Sequence, residues 1–212
     1  MSTYARPALS TSRISDAEET TPVSRRLAGV ALVVLAAEFM TAIMLGASMA
    51  AGYELNAGAI SDLGVAPETA LLFNGSLVFI GLLNVLAGFA LYRSLGRPWL
   101  LAMFILAGLG AVGAGLFPLS TGDLHSLFAL LAFLFFNVET LACAVVVAGP
   151  IRPIAAVLGT IGLGFVVVMA IGDSGNPAIF GAIGHGGAER MIVYPPMIWL
   201  MAFGGYLLGR EH

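Results

Sequence analysis

Six apolar stretches, each near the roughly 20 helical residues needed to cross a bilayer core about 30 Å thick, constrain this chain more than any other feature. They run from Leu27 to Gly52, Ala70 to Tyr92, Trp99 to Pro118, His125 to Gly149, Ile154 to Gly172 and Glu189 to Gly209. Strand-like alternation is missing from them, which argues against a transmembrane barrel. The expected fold is all-α, a bundle of six transmembrane helices over residues 27–210. Composition agrees, because only 10% of the 212 residues are charged and mean hydropathy is +0.97. A soluble domain carries about 25% charged residues.

Residues 1–26 are polar and rich in Ser and Thr, without a periodic apolar face, and read as a disordered cytoplasmic tail. Ser48-Met49-Ala50 loosely resembles a signal-peptide cleavage site. The apolar run before it is too long for an ordinary signal and contains Glu38, so it reads as a retained first span.

The charges are sorted by side. Arg6, Arg13, Arg25, Arg26, Arg93, Arg97, Arg152 and Arg210 all fall at ends or connections on one side of six alternating spans, and the chain has no lysine. The opposite connections hold Glu54, Asp62, Glu68, Asp123, His125, Asp173, His185 and Glu189, with Arg190 the exception. Loops rich in Arg stay in the cytoplasm, so both termini are expected inside a cell membrane and the acidic face outside. Sorted charges with no basic stripe argue against nucleic-acid binding. Cys143 is the single cysteine, in an apolar run, which excludes a disulfide framework and a cysteine zinc site.

Small residues crowd the third span from Ala107 to Gly115 and recur in the fifth at Gly159, Gly162 and Gly164. Such faces let helix backbones approach closely, so both spans are expected in the bundle interior. Polar residues also fall at membrane depth: Glu38 in the first span, Asn74 and Asn84 in the second, Asn137 and Glu139 in the fourth. Exposed to lipid these would be costly, so they are expected to bond one another across helices or to form a proton relay. Pro195-Pro196 within the sixth span frees backbone carbonyls and points to a kink.

The acidic face gathers the candidate chemistry. Individually, Asp123 and Glu189 read as helix caps and Asp173 as a turn former. Together they surround one cation: Arg190, at the membrane boundary, is expected to pair with Asp62, Asp173 or Glu189. Glycines around His185 point to a mobile loop before the sixth span. His125, His185 and one of Asp62, Asp123 or Asp173 would make three zinc ligands, with Glu189 as base. No sequence-local histidine pair supports that set and His212 lies at the other end, so no metal site is assigned.

Several short motifs occur in a characteristic order: Ile60-Ser61-Asp62-Leu63-Gly64, Leu71-Leu72-Phe73-Asn74, Gly115-Leu116-Phe117-Pro118 followed by His125, and Glu189-Arg190 followed by Tyr194-Pro195 and Trp199. In these the chain resembles the prokaryotic six-span membrane family catalogued as domain of unknown function 998, over about Leu27 to Gly209. The resemblance implies the six-span fold and draws attention to Asp62, His125, Glu189, Arg190 and Tyr194, but no activity or cofactor. Three function classes remain. The leading one is binding or transport of a small solute or lipid at an outward polar pocket. The others are a membrane-embedded hydrolase or transferase acting on lipid or envelope material, and a structural or accessory subunit. Oligomeric state is not legible.

Overall fold

The computed structural model describes residues 12–209, with side chains from residue 22 onward. Arg6 in the expected tail, and Arg210 and His212 at the C-terminus, lie outside the described residues. The protein is all-α: α1 spans Ser12–Met49, α2 Ala70–Leu95, α3 Pro98–Leu116, α4 Asp123–Val146, α5 Ile151–Asp173 and α6 Gly184–Leu208. All six are long and apolar enough to cross a membrane, the membrane-length part of α1 beginning at Pro22. The boundary expected at residue 26 falls within α1 rather than at its start. Short 3-10 turns at Ile60–Gly64, Leu119–Thr121 and Pro177–Ile183 lie in the three connections at the arginine-poor end.

Local chemistry sets several boundaries. Gly96 ends α2 with φ 64°, a left-handed cap whose N–H donates to the Tyr92 carbonyl. Pro98 then opens α3, at the first-turn position where its missing N–H costs nothing. Such short connections force neighbouring helices antiparallel, which places Arg93, Arg97 and Arg152 together at the end opposite the 3-10 turns.

Each helix packs on its sequence neighbours, α6 returns to α1, and α4 also touches α6 directly. Helices α1, α2, α3, α4 and α6 therefore close a ring, and α5 lies outside the α4–α6 seam. That corrects the expectation for the fifth span: 22% of its most apolar window is buried, against 50% for α3 and 56% for α6. The reason is visible at its glycines. A Cβ on Gly159 would meet backbone of Asn137 and Leu141, and one on Gly162 would run into the Asn137 side chain, whereas Gly164 faces open space. One small face presses on α4, Met169 packs beside Ala188 and Ile192 of α6, and the outward side of the helix is exposed. Helix α3 fits the interior expectation, since Gly108 meets Gly81 of α2 so closely that a Cβ on either would strike the other's carbonyl oxygen.

A second correction concerns the approach to α6. His185 lies not in a glycine loop but in the first turn of α6, which Gly184 opens at φ 66° with a Cβ position filled by the Asn56 carbonyl. The Gly186 amide donates to that same carbonyl at 3.0 Å, so the first connection clamps this end of α6.

Candidate functional site

At membrane depth, α2 is the common partner. Ser76 Oγ donates to Glu38 Oε2 of α1 at 2.8 Å. Asn84 Nδ2 donates to Glu139 Oε2 of α4 and to the Phe104 carbonyl of α3, both at 3.0 Å. Glu38 and Glu139 thus bond different residues of α2 rather than each other. Asn74 reaches from α2 to the Gly64 carbonyl at 2.8 Å, pinning the 3-10 turn to the helix below it. Asn137 of α4 donates to the Ile192 carbonyl of α6 at 3.0 Å.

The arginine-poor end is organised around the first connection. Arg190 is buried, and its guanidinium donates to the carbonyls of Leu55 at 2.7 Å and Gly186 at 2.8 Å, and to the Tyr53 hydroxyl at 2.7 Å. It also approaches the Tyr53 ring face, 5.6 Å from its centroid. No salt bridge to Arg190 occurs among the described residues, which corrects the expectation of a carboxylate partner. Carbonyl oxygens of the first connection supply the acceptors instead, a geometry suited to the guanidinium fork. Tyr53 donates in turn to the Ala59 carbonyl at 2.8 Å. Burial, the largest influence, pushes its phenol above the ordinary value, with the hydrogen bond from Arg190 acting in the opposite sense.

Glu189, the next residue, is not an exposed cap. It is buried 4% exposed in α6, and its Oε2 accepts the Ile60 amide at 2.6 Å, with the Ser61 amide on the same carboxylate. The 3-10 turn Ile60–Gly64 is therefore held at its start by an acid from α6, as anions are held by free amides at helix N-termini. Asp62 closes the same turn on itself, accepting the Ala59 amide at 2.8 Å.

His125 is also buried, in the first turn of α4. Its Nδ1 lies 2.8 Å from the Phe117 carbonyl, which can only accept, so Nδ1 carries the proton. Nε2 on the opposite edge is buried without a partner. His185 Nε2 sits 3.2 Å from Asp173 Oδ1, joining the end of α5 to the start of α6 in an exposed pair.

Two cavities meet here. The inner one, about 50 Å³, lies within the five-helix ring and is lined by apolar side chains such as Phe39, Leu77, Phe136 and Met197. Its polar lining residues are Ser61, His125, Asn137 and Glu189. The other, about 540 Å³, opens to solvent between α4, α5 and α6 beside Asp62, Asp173 and His185. Ser61, His125 and Glu189, with Ala129, Phe133 and Ile192, line both and stand between them as a neck of mixed polarity.

Of the residues singled out from the sequence, Asp62, His125, Asp173, His185 and Glu189 thus converge on one opening. Asp123 is exposed at the start of α4, without a capping bond, and lines neither cavity. Tyr194 packs half-buried against the apolar core and also lines neither. Among the described residues no three His, Cys, Asp or Glu side chains are placed to hold a metal, so the ligand set weighed from the sequence is not assembled. Two participants escaped sequence reading, Tyr53 and Ser76. Tyr53 stands in the connection next to acids, and Ser76 lies two residues from Asn74 in an apolar helix, where any hydroxyl needs an acceptor.

A family model described as "Protein of unknown function (DUF998)" matches residues 30–206. No curated protein and no solved structure matches the chain.

Proposed function

The chain belongs to the DUF998 family, whose description assigns no activity, and we propose that it is a multi-pass membrane protein that binds a small amphiphile from the outer side of a cell membrane. The observation that carries this reading is the neck at Ser61, His125 and Glu189, residues that border both a polar opening and an apolar slot inside the helix ring. Small-molecule sites are concave, mostly apolar and carry a few convergent polar groups, and the inner space of about 50 Å³ would have to widen to admit a chain. A molecule with a polar head and an apolar chain satisfies both compartments at once, and α5 outside the ring flanks its way in.

The orientation belongs to this proposal. Arg93, Arg97 and Arg152 would lie on the cytoplasmic side and the opening on the other, following the bias of Arg towards the cytoplasm. Binding is favoured over transport because Glu38 and Glu139, the acids at membrane depth, line neither of these two cavities. A hydrolytic reading has less support, since the acids of the neck are taken up by backbone amides.

The test is photolabelling in nanodiscs with a lipid analogue carrying a diazirine on its chain. Labels are expected on the slot-lining parts of α4 and α6, such as Phe136 and Met197. Ala129, which lines both cavities, offers a plug: Ala129→Phe is expected to abolish those labels, while Val145→Phe on the exposed face of α4 leaves them unchanged. Labels confined to exposed faces and indifferent to Ala129→Phe would sink the reading.

A further inference from the structure

Resting on the binding role above, we infer the chemistry of the head group: the neck takes a cationic, hydrogen-bond-donating head, an amine, with an N–H aimed at Nε2 of His125.

Three independent observations converge on it. The first is the orphaned acceptor. His125 is 4% exposed, its Nδ1–H is committed to the Phe117 carbonyl, and Nε2 on the other edge has no partner although the residue lines both cavities. In the uncharged ring, Nε2 only accepts. A buried acceptor left unmatched is destabilising, and a donor delivered by a ligand removes that cost.

The second is the sign of the surrounding charge. Asp62, Asp173 and Glu189 border the opening, whose lining residues include no Arg and two histidines: His125, the acceptor itself, and His185, already facing Asp173. A phosphate or carboxylate head entering here would meet the carboxylates of Asp62 and Asp173. An ammonium would meet complementary potential, which governs both selection and capture rate.

The third is where Arg190 goes. It follows Glu189 directly in the sequence, and a guanidinium turned towards the opening would have balanced the acids. Instead it is withdrawn among the carbonyls of Leu55, Gly58 and Gly186, and lines neither cavity. The fold thus leaves the neck acceptor-rich and without a neutralising arginine, while Phe39, Leu77 and Phe136 beyond it suit an alkyl chain.

Three medium-chain diazirine probes identical except for the head (an amine, an alcohol and a carboxylic acid) separate the possibilities on the full-length wild type in phosphatidylcholine nanodiscs. The amine is expected to label the slot about tenfold more than the acid, the scale of one hydrogen bond to a charged group. His125→Leu should lower amine and alcohol labelling together, His125→Gln should restore part of it through its carbonyl, and Asp62→Asn should lower the amine alone. Equal labelling of the slot by all three probes overturns the head-group assignment and leaves the binding role standing. Labelling of the slot by none of them overturns both. Because the head-group comparison is made on unaltered protein, a variant that fails to fold does not decide it.

Discussion

The side-chain amide of Asn137 donates to the Ile192 carbonyl, the acceptor that Pro196, four residues further along α6, leaves without its helical N–H. A proline inside a helix strands the carbonyl four residues back, and in lipid no water is present to take it. The fourth helix supplies the missing donor, and Gly162 of α5 leaves room for the Asn137 amide on its other side. Both Asn137 and Pro196 line the inner cavity, so one bond fixes the spacing of α4 and α6 where the slot needs it.

Asn137→Ala is therefore expected to destabilise the protein by about 1 kcal/mol, the scale of interhelical bonds in membranes. In a Pro196→Ala background the Ile192 carbonyl regains its own helical donor, and the same substitution should cost much less. Unfolding of all four proteins in detergent measures the coupling. Additive losses would show that Asn137 stabilises something other than this carbonyl.

Arg190→Ala should cost about 3 kcal/mol, because several buried carbonyls lose a charged donor at once. Arg190→Lys should recover little, since an ammonium cannot span acceptors that the planar fork reaches together. Arg97→Ala, at an exposed turn, should stay within about 0.5 kcal/mol. Thermal inactivation in detergent ranks the three, and equal tolerance of Arg190→Ala and Arg97→Ala would remove the case for the clamp.

The contrast between these two arginines marks what is legible in such a chain. Span number, helical class and the sorting of arginine follow from runs of apolar residues and from the position of charge along the chain. Partner choice does not. Arg190 shares one end of the bundle with Asp62, Asp173 and Glu189, yet backbone carbonyls hold it, and backbone acceptors carry no residue-type signal. Similarly, the glycines about His185 favour a loop by propensity, but in α6 they are small because the first connection lies against them: a Cβ on Gly186 would strike the carbonyl of Gly58. Close approach and flexibility call for the same residue, and only the fold separates them. The peripheral place of α5 was hidden for a related reason, since two glycines on one face look much like an interior helix until its other faces are seen to be exposed.

Alkaline pH should expose the role of Tyr53. Its half-buried phenol lies above the ordinary value of about 10, so the unfolded chain gives up this proton at lower pH than the folded one. The stability it contributes is complete below about pH 10 and is lost as pH rises through the folded value. Tyr53→Phe should lower stability at neutral pH by about 1 kcal/mol, through the lost bonds to Ala59 and Arg190, and remove that part of the alkaline decline. Denaturation curves at neutral pH and above pH 10 test both statements. An unchanged alkaline slope in the variant would assign the decline to other groups.

Two of the three acids that border the opening, Glu189 and Asp173, should respond differently. Glu189 is buried, and its carboxylate holds the start of the turn Ile60–Gly64, so Glu189→Gln leaves one amide facing an NH2 group. That change is expected to cost about 2 kcal/mol, as for a buried donor left unmatched. Asp173 and His185 form an exposed pair, and Asp173→Asn should cost no more than about 0.5 kcal/mol, since water solvates both partners when they separate. Hydrogen exchange at the Ile60 and Ser61 amides supplies the local readout. Faster exchange is expected in Glu189→Gln and none in Asp173→Asn, because only Glu189 contacts those groups. If both variants leave exchange untouched, the turn is held by Asp62 and Asn74 alone, and the neck loses the element that carries Ser61 to it.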